Sequence, residues 1–487
     1  MLFNSAAYAV FFAVVTGCYF LLPHRFRWAL LLSASCGFYM WFRPAYILIL
    51  GFTILVDYFA GLWIEGARGT RRSWALGLSL AANVGVLAVF KYWNFGQGNL
   101  EAAARFLGWN YSPALLEMAL PIGLSFHTFQ AMSYTIEVYR GHQRAERHFG
   151  IYSLYVMFFP QLVAGPIERP QNLLHQFHES HGFDYDRVTS GLRLMAWGLF
   201  KKVCVADRAS IFVNSVYAKP EFFRGPGVMI ATLFFAVQIY CDFSGYSDMA
   251  VGAARVLGFD LMRNFRHPYA SRSVGEFWRR WHISLSTWFK DYVYVPLGGS
   301  RVPASRHALN LMVVFLLSGL WHGANWTFLA WGGIHGLALA GSFLTVDFRQ
   351  RLRNSVEPWV GPGLIRFWQW VCMLTIVCLG WIFFRATSIH HAMTLIRQLA
   401  TGWSLLLHPG GLFPLLWEAG YGRIDFAILL GLISVVFAVE AFERRLPMNS
   451  WICSLPRWKR WILYEAVVIG IFWLAPGSGD QFIYFQF

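Results

Sequence analysis

The chain has 487 residues, of which 57% are hydrophobic, 18% aromatic and only 13% charged, and its formal net charge is +15. Soluble domains carry about a quarter charged residues, so half that share along the whole length excludes an ordinary soluble protein and indicates a polytopic membrane protein. The excess of 40 Lys and Arg over 25 Asp and Glu does not point to nucleic acid, because the cations fall in short clusters between apolar runs, as at Arg68, Arg71 and Arg72 or Arg140, Arg144 and Arg147.

That clustering is the positive-inside pattern of cytoplasmic loops, although such loops also attract an anionic cosubstrate or a lipid head group. Seven cysteines without a C-x-x-C pair signal neither a disulfide framework nor a zinc site, so no metal is expected. The first apolar run, 6–22, lacks a basic leader and is followed at once by more spans, which reads as a retained first helix.

A membrane helix needs about 20 mostly apolar residues. In chain order, candidate spans cover 6–22, 28–42, 45–64, 74–92, 114–136, 150–165, 188–206, 227–248, 308–321, 324–345, 364–384, 424–441 and 459–475. Some are too short to cross fully and read as re-entrant, so about eleven true crossings are expected. Arg25 and Arg27 follow the first span, and the two arginine clusters follow the third and fifth. If those loops are cytoplasmic, the N-terminus is periplasmic. With no fixed-period repeat and no Pro-rich or Gly/Ser-rich linker, residues 1–487 read as one integral-membrane domain.

Asp57 is a lone acid inside the span 45–64, and a helix-packing hydrogen bond is its commoner fate. Asp242 and Asp248 lie at the end of the span 227–248. Around an unbroken helix they stand about 240° apart, so they make an acid/base pair only if Gly245 kinks it. Between Val274 and Tyr292 a helical wheel gathers Val274, Phe277, Trp278, Trp281, Leu285, Trp288, Phe289 and Tyr292 on one face, with Glu276, Arg279, Arg280 and Lys290 on the other. One amphipathic helix at the interface, or dipping into a groove, is expected there. His282 falls at the edge of its apolar stripe, beside Ser286.

From Ser318 to Gly336 the chain carries His322 and His335 among glycines and Trp321, Trp326 and Trp331. Ionisable side chains in membrane-embedded runs usually face a protein interior or a cavity and are functional candidates. A neutral imidazole can take a proton from an attacking hydroxyl and return it to a leaving group, the service that acyl transfer from a thioester requires. His322 is the first candidate for that role and His282 the second. On histidine alone, a hydrogen-bonded packing residue is the more frequent outcome. His335 falls about 140° from His322 around an unbroken helix, which predicts that it points away. Trp321, Ser286, Asp242 and His335 are candidate supporting residues. No phosphate loop, serine elbow or H-E-x-x-H helix is present, which disfavours ATP-driven pumping and serine or zinc hydrolysis.

Together, Y-C-D-F-S-G-Y-S-D-M-A at Tyr240, N-F-R-H-P-Y at Asn264, E-F-W-R-R-W-H-I-S-L-S-T-W-F-K-D-Y at Glu276, G-L-W-H-G-A-N-W at Gly319 and the terminal F-I-Y-F-Q-F resemble the membrane-bound O-acyltransferase family, in its alginate O-acetylation branch. The likeness covers nearly the whole chain and is strongest over 240–336. It implies an all-α polytopic fold around a central funnel or tunnel, a catalytic histidine matching His322 and a second matching His282. It also implies an acetyl donor on the cytoplasmic side of the inner membrane, with acetyl-coenzyme A as cosubstrate and no bound cofactor. A periplasmic acetyltransferase partner and an extracytoplasmic polysaccharide acceptor complete the system. Alginate, cellulose or peptidoglycan acetylation and a D-alanylation relative remain open within the class. A transporter or export subunit is the alternative outside it, disfavoured because the paired repeats common in transporters are missing from the sequence.

Overall fold

The computed structural model describes residues 1–487 apart from 113, 117–120, 164, 408–409, 477–481 and 484–487. Parts of the expected spans 114–136 and 150–165, and the last four residues of the terminal motif, lie outside the described residues. Among the described residues all regular structure is helical. Seven helices are long and apolar enough to cross a membrane: Tyr46–Gly66, Thr70–Phe106, Gly225–Leu257, Ala304–His322, Trp326–Leu344, Val346–Arg385 and Arg423–Glu443. The protein is an all-α, multi-pass membrane protein, because only helices or closed barrels satisfy every backbone group in hydrocarbon.

The backbone divides into two compact units. The first comprises Met1–Trp197 and Tyr246–Arg263. Its core contains a polar knot at Asp57, which is fully buried. Ser79 donates to its carboxylate at 2.6 Å and Asn83 at 2.9 Å, while Ser79 is also 2.9 Å from Thr135. Asp57 therefore ties the helices Tyr46–Gly66, Thr70–Leu87 and Leu124–Arg140 together, as the packing interpretation expects. On one side of this unit, Arg72 donates to the carbonyls of Val138 (3.0 Å) and Tyr139, which close the helix Leu124–Arg140. Glu65 accepts the amide of Ala145 at 3.1 Å and pairs with Arg147. The loops carrying the first two arginine clusters thus share one side of the unit.

The second unit comprises Gly198–Gly245 and Asn264–Phe487. Its centre is an antiparallel hairpin of Ala304–His322 and Trp326–Leu344. Glycines let the two backbones touch: a Cβ on Gly319 would stand 2.3 Å from the carbonyl oxygen of Phe328, and one on Gly332 2.3 Å from that of Phe315. The helix Val346–Arg385 breaks at Gly361, whose φ is +78°, between Pro358 and Pro362. Two prolines remove ladder donors within one turn, and glycine adopts the left-handed backbone that the bend needs.

The expected single helix over Val274–Tyr292 is not formed. The chain makes two short helices, Val274–Trp278 and Ile283–Phe289, with His282 between them in the left-handed region at φ +43°. The freed backbone groups find partners in the N-F-R-H segment. Ile283 N–H donates to Asn264 O at 2.9 Å, Arg266 N–H to Arg280 O at 3.0 Å, and Ser284 Oγ to Asn264 Oδ1 at 2.6 Å. The two faces nevertheless survive the break. Phe277, Trp278, Trp281, Leu285, Trp288 and Phe289 are buried, while Arg279 and Lys290 are exposed.

Candidate active site

All three sequence-selected histidines lie in the second unit, and the break at residues 279–282 is what buries the first of them. His282 is fully inaccessible. Its ring lies 4.6 Å from Phe243, edge-on at 85°, and 6.0 Å from Trp321. Burial holds its pKa well below the usual imidazole range, at about 3, because the charged form would lose its hydration. It is a neutral imidazole at working pH.

His322 closes the first helix of the hairpin, where Gly323 leaves helical conformation. The next helix is started by Asn325, whose side chain accepts the amide of Thr327 at 3.1 Å. His322 is 5% exposed. Three rings meet it edge-on: Trp321 at 4.9 Å, Trp331 at 4.9 Å and Phe384 at 5.2 Å. Edge-to-face contacts of this kind are favourable and directional, so together they fix the imidazole plane. Trp321 lies against both His282 and His322 and thereby links the two histidine-bearing motifs.

His335 does not point away from His322 as the helical count predicts. That count assumes one unbroken helix, and the chain turns back at Gly323–Asn325, so both imidazoles come to lie against the ring of Trp331, His322 at 4.9 Å and His335 at 5.2 Å. Trp278 Nε1 donates to Nδ1 of His335 at 3.3 Å, which assigns the neutral imidazole proton to Nε2. Nε2 faces Gly380, where a Cβ would come within 2.7 Å.

Ser286 turns its hydroxyl to the carbonyl of Trp281 at 3.2 Å, inside the bend that carries His282. Asp242 lies on the helix Gly225–Leu257, which runs on through Gly245. It binds Lys202 Nζ at 2.8 Å, and Lys202 also reaches Asp207 at 2.6 Å. Asp242 is thus part of a buried ion cluster, while Asp248 is half-buried. Lys202 and Trp331 join the site without standing out among the sequence candidates. Adjacent lysines at 201 and 202 inside the apolar run 188–206 were the available signal for the first. Nothing distinguishes Trp331 from its neighbouring tryptophans before the hairpin is known.

The chemistry open to this arrangement is that of an imidazole held in a plane by aromatic edges and largely shielded from water, at the end of a membrane-embedded helix. Such a group can accept and return a proton. The fold is that of a multi-pass membrane protein, and its buried histidines fit the acyl-transfer class. Residues 142–385 match the model of the MBOAT, membrane-bound O-acyltransferase family, and the chain belongs to that family. It is an O-acyltransferase.

Among its relatives, the "Probable alginate O-acetylase AlgI" of Azotobacter vinelandii is 39% identical over 395 residues, covering 80% of this chain and 76% of the relative. The protein of the same description from Pseudomonas aeruginosa is 38% identical over 399 residues, covering 80% and 73%. The "Peptidoglycan O-acetyltransferase" of Helicobacter pylori is 34% identical over 399 residues, covering 75% and 72%.

Proposed function

We propose that the protein transfers acetyl groups from a cytoplasmic thioester, acetyl-coenzyme A, across the bacterial inner membrane for O-acetylation of an extracytoplasmic polysaccharide, alginate in the first instance. The observation carrying this reading is the contact of both His282 and His322 with Trp321, at ring-centroid distances of 6.0 and 4.9 Å. His322 acts as general base on the hydroxyl that accepts the acyl group, then returns the proton to the leaving thiolate. His282, neutral at working pH, orients or polarises the acyl carbonyl as a hydrogen-bond donor. A central funnel between the two membrane faces would admit the donor on one side and the acceptor on the other. A periplasmic acetyltransferase partner completes delivery to the polymer.

Alginate is favoured over peptidoglycan as acceptor because the alginate O-acetylases match at 35% to 39% identity and the peptidoglycan enzyme at 34%. The test is release of free coenzyme A from acetyl-coenzyme A by membranes containing the partner and the acceptor polymer. His322→Gln keeps a hydrogen-bonding side chain but cannot exchange a proton near neutrality. It should lose about 10²- to 10⁴-fold in rate, the usual worth of positioned acid–base catalysis, while accumulating normally. Wild-type turnover in that variant would remove His322 from the mechanism. No thioester cleavage by the wild-type protein would favour a transporter.

A further inference from the structure

Asp242 and Phe243 are consecutive residues on the helix Gly225–Leu257, and each meets a different part of the second unit. The Asp242 carboxylate uses one oxygen for Lys202 Nζ at 2.8 Å and the other for the backbone N–H of Ile483 at 2.6 Å. The Phe243 ring lies 4.6 Å from His282 on one side and 5.9 Å from Phe482 on the other. Phe482 is fully buried and Ile483 is 2% exposed.

Ile483 is held by a charge-assisted bond whose acceptor lies 241 positions away in the chain. The electrostatics explain why an amide is wanted there. Lys202 faces two carboxylates, Asp207 at 2.6 Å and Asp242 at 2.8 Å, all three 3% exposed or less. The positive end of the Ile483 N–H dipole adds to the Lys202 ammonium in stabilising the Asp242 carboxylate.

We infer that Phe482 and Ile483 are positioning residues for His282: Lys202 and Asp242 hold the Ile483 backbone, and that hold presses Phe482 onto Phe243, the ring against which the His282 imidazole stands. The consequence for catalysis rests on the acyl-transfer role proposed for His282. The geometric claim does not, and the experiment separates them.

The test is carbethoxylation of the full-length protein with diethyl pyrocarbonate, read residue by residue by peptide mass spectrometry. His335, equally inaccessible in the same unit, is the internal reference. In Phe482→Ala the modification rate of His282 should rise about tenfold or more while that of His335 stays at its wild-type value, and Phe482→Leu should restore most of the protection. Ile483→Pro removes the donor to Asp242 without touching the Phe482 ring, and should expose His282 in the same selective way. It also serves as the test should Phe482→Ala fail to accumulate.

Unchanged protection of His282 in folded Phe482→Ala or Ile483→Pro protein would overturn the inference. So would a parallel rise at His335, which would mean general loosening. Coenzyme A release measured on the same samples should fall in kcat more than it rises in KM. Selective exposure of His282 with unaltered turnover would uphold the positioning and count instead against the catalytic role given to His282.

Discussion

Trp278 donates its indole N–H to Nδ1 of His335 across 3.3 Å, with the two rings nearly perpendicular at 89° and 5.1 Å apart. The bond joins the short helix Val274–Trp278 to the second helix of the hairpin, Trp326–Leu344. Both residues are buried, so neither can exchange this partner for bulk water.

Removing one side of that bond should therefore cost more than the bond contributes. Trp278→Phe leaves Nδ1 of His335 buried without its donor, a penalty of about 1–3 kcal/mol, to which a smaller packing loss is added. His335→Leu should destabilise similarly by orphaning the indole N–H. The double variant should lose clearly less than the sum, because replacing both partners by apolar groups removes the unsatisfied atom. Thermal unfolding of the four proteins in one detergent gives the coupling, and strict additivity would mean that the bond carries no weight.

The hairpin itself should tolerate no side chain at its crossing. Gly319→Ala and Gly332→Ala each place a methyl 2.3 Å from a backbone carbonyl oxygen of the facing helix. A backbone cannot rotate aside as a side chain can, so the helices must separate. Overpacking of this kind costs about 1–3 kcal/mol or more, and here it would also shift Trp331 away from His322. Gly333→Ala, with no atom within 4 Å of its new methyl, is the matched control. Loss of yield or melting temperature in the first two variants and not the third is the expected pattern.

These relationships mark how far the sequence could be read. Burial patterns survived because hydrophobic periodicity depends on which residues face the interior, not on helix continuity: Trp281 and Trp288 are buried although the helix expected to carry them is broken. Positions that depend on continuity failed. The helical count places His335 on the wrong side because the turn at Gly323–Asn325 resets the angle, although Gly followed by an N-capping Asn is a legible stop-and-start signal. The left-handed backbone of His282 had no such signal, since its partners at Asn264 and Arg266 are set by tertiary pairing. The Lys202 cluster is half legible, since paired lysines in an apolar run flag it and Asp207 lies five residues on, but the arrival of Asp242 is set by tertiary pairing.

Membrane orientation yields a third prediction. Arg72 caps the carbonyl of Val138, and Arg147 pairs with Glu65, so the loops following residues 66 and 140 emerge on the same side of their unit. Counting positive charge puts that side in the cytoplasm. Cysteine introduced at exposed Thr70 should then resist an impermeant maleimide in intact spheroplasts and react once the membrane is opened. Reaction in intact spheroplasts would invert the orientation of both loops together, because their contacts do not permit one to move without the other.

The buried imidazole of His282 gives a prediction on acid stability. Its pKa is held at about 3 by burial, against 6.5 for an ordinary imidazole. The unfolded chain takes up this proton as pH falls below about 6.5, and the folded chain does not until about 3. Between those limits the unfolded state binds more protons, so stability must fall as pH falls. The slope contributed approaches about 1.4 kcal/mol per pH unit, or about 2 kcal/mol by pH 5. At pH 6.5 the slope is half its maximum, and it fades over about one further unit as pH rises. His282→Gln removes the titrating group and keeps a polar side chain of similar reach, so its stability should decline less steeply from pH 7 to pH 4.5 than that of the wild-type protein, the gap opening mainly below about 6.5. Comparing melting temperatures of the two proteins across that range isolates the one histidine from every other titrating group they share. Parallel curves would show that His282 takes up its proton equally in both states, and that its imidazole is not sealed from water in the way its contacts with Phe243 and Trp321 imply.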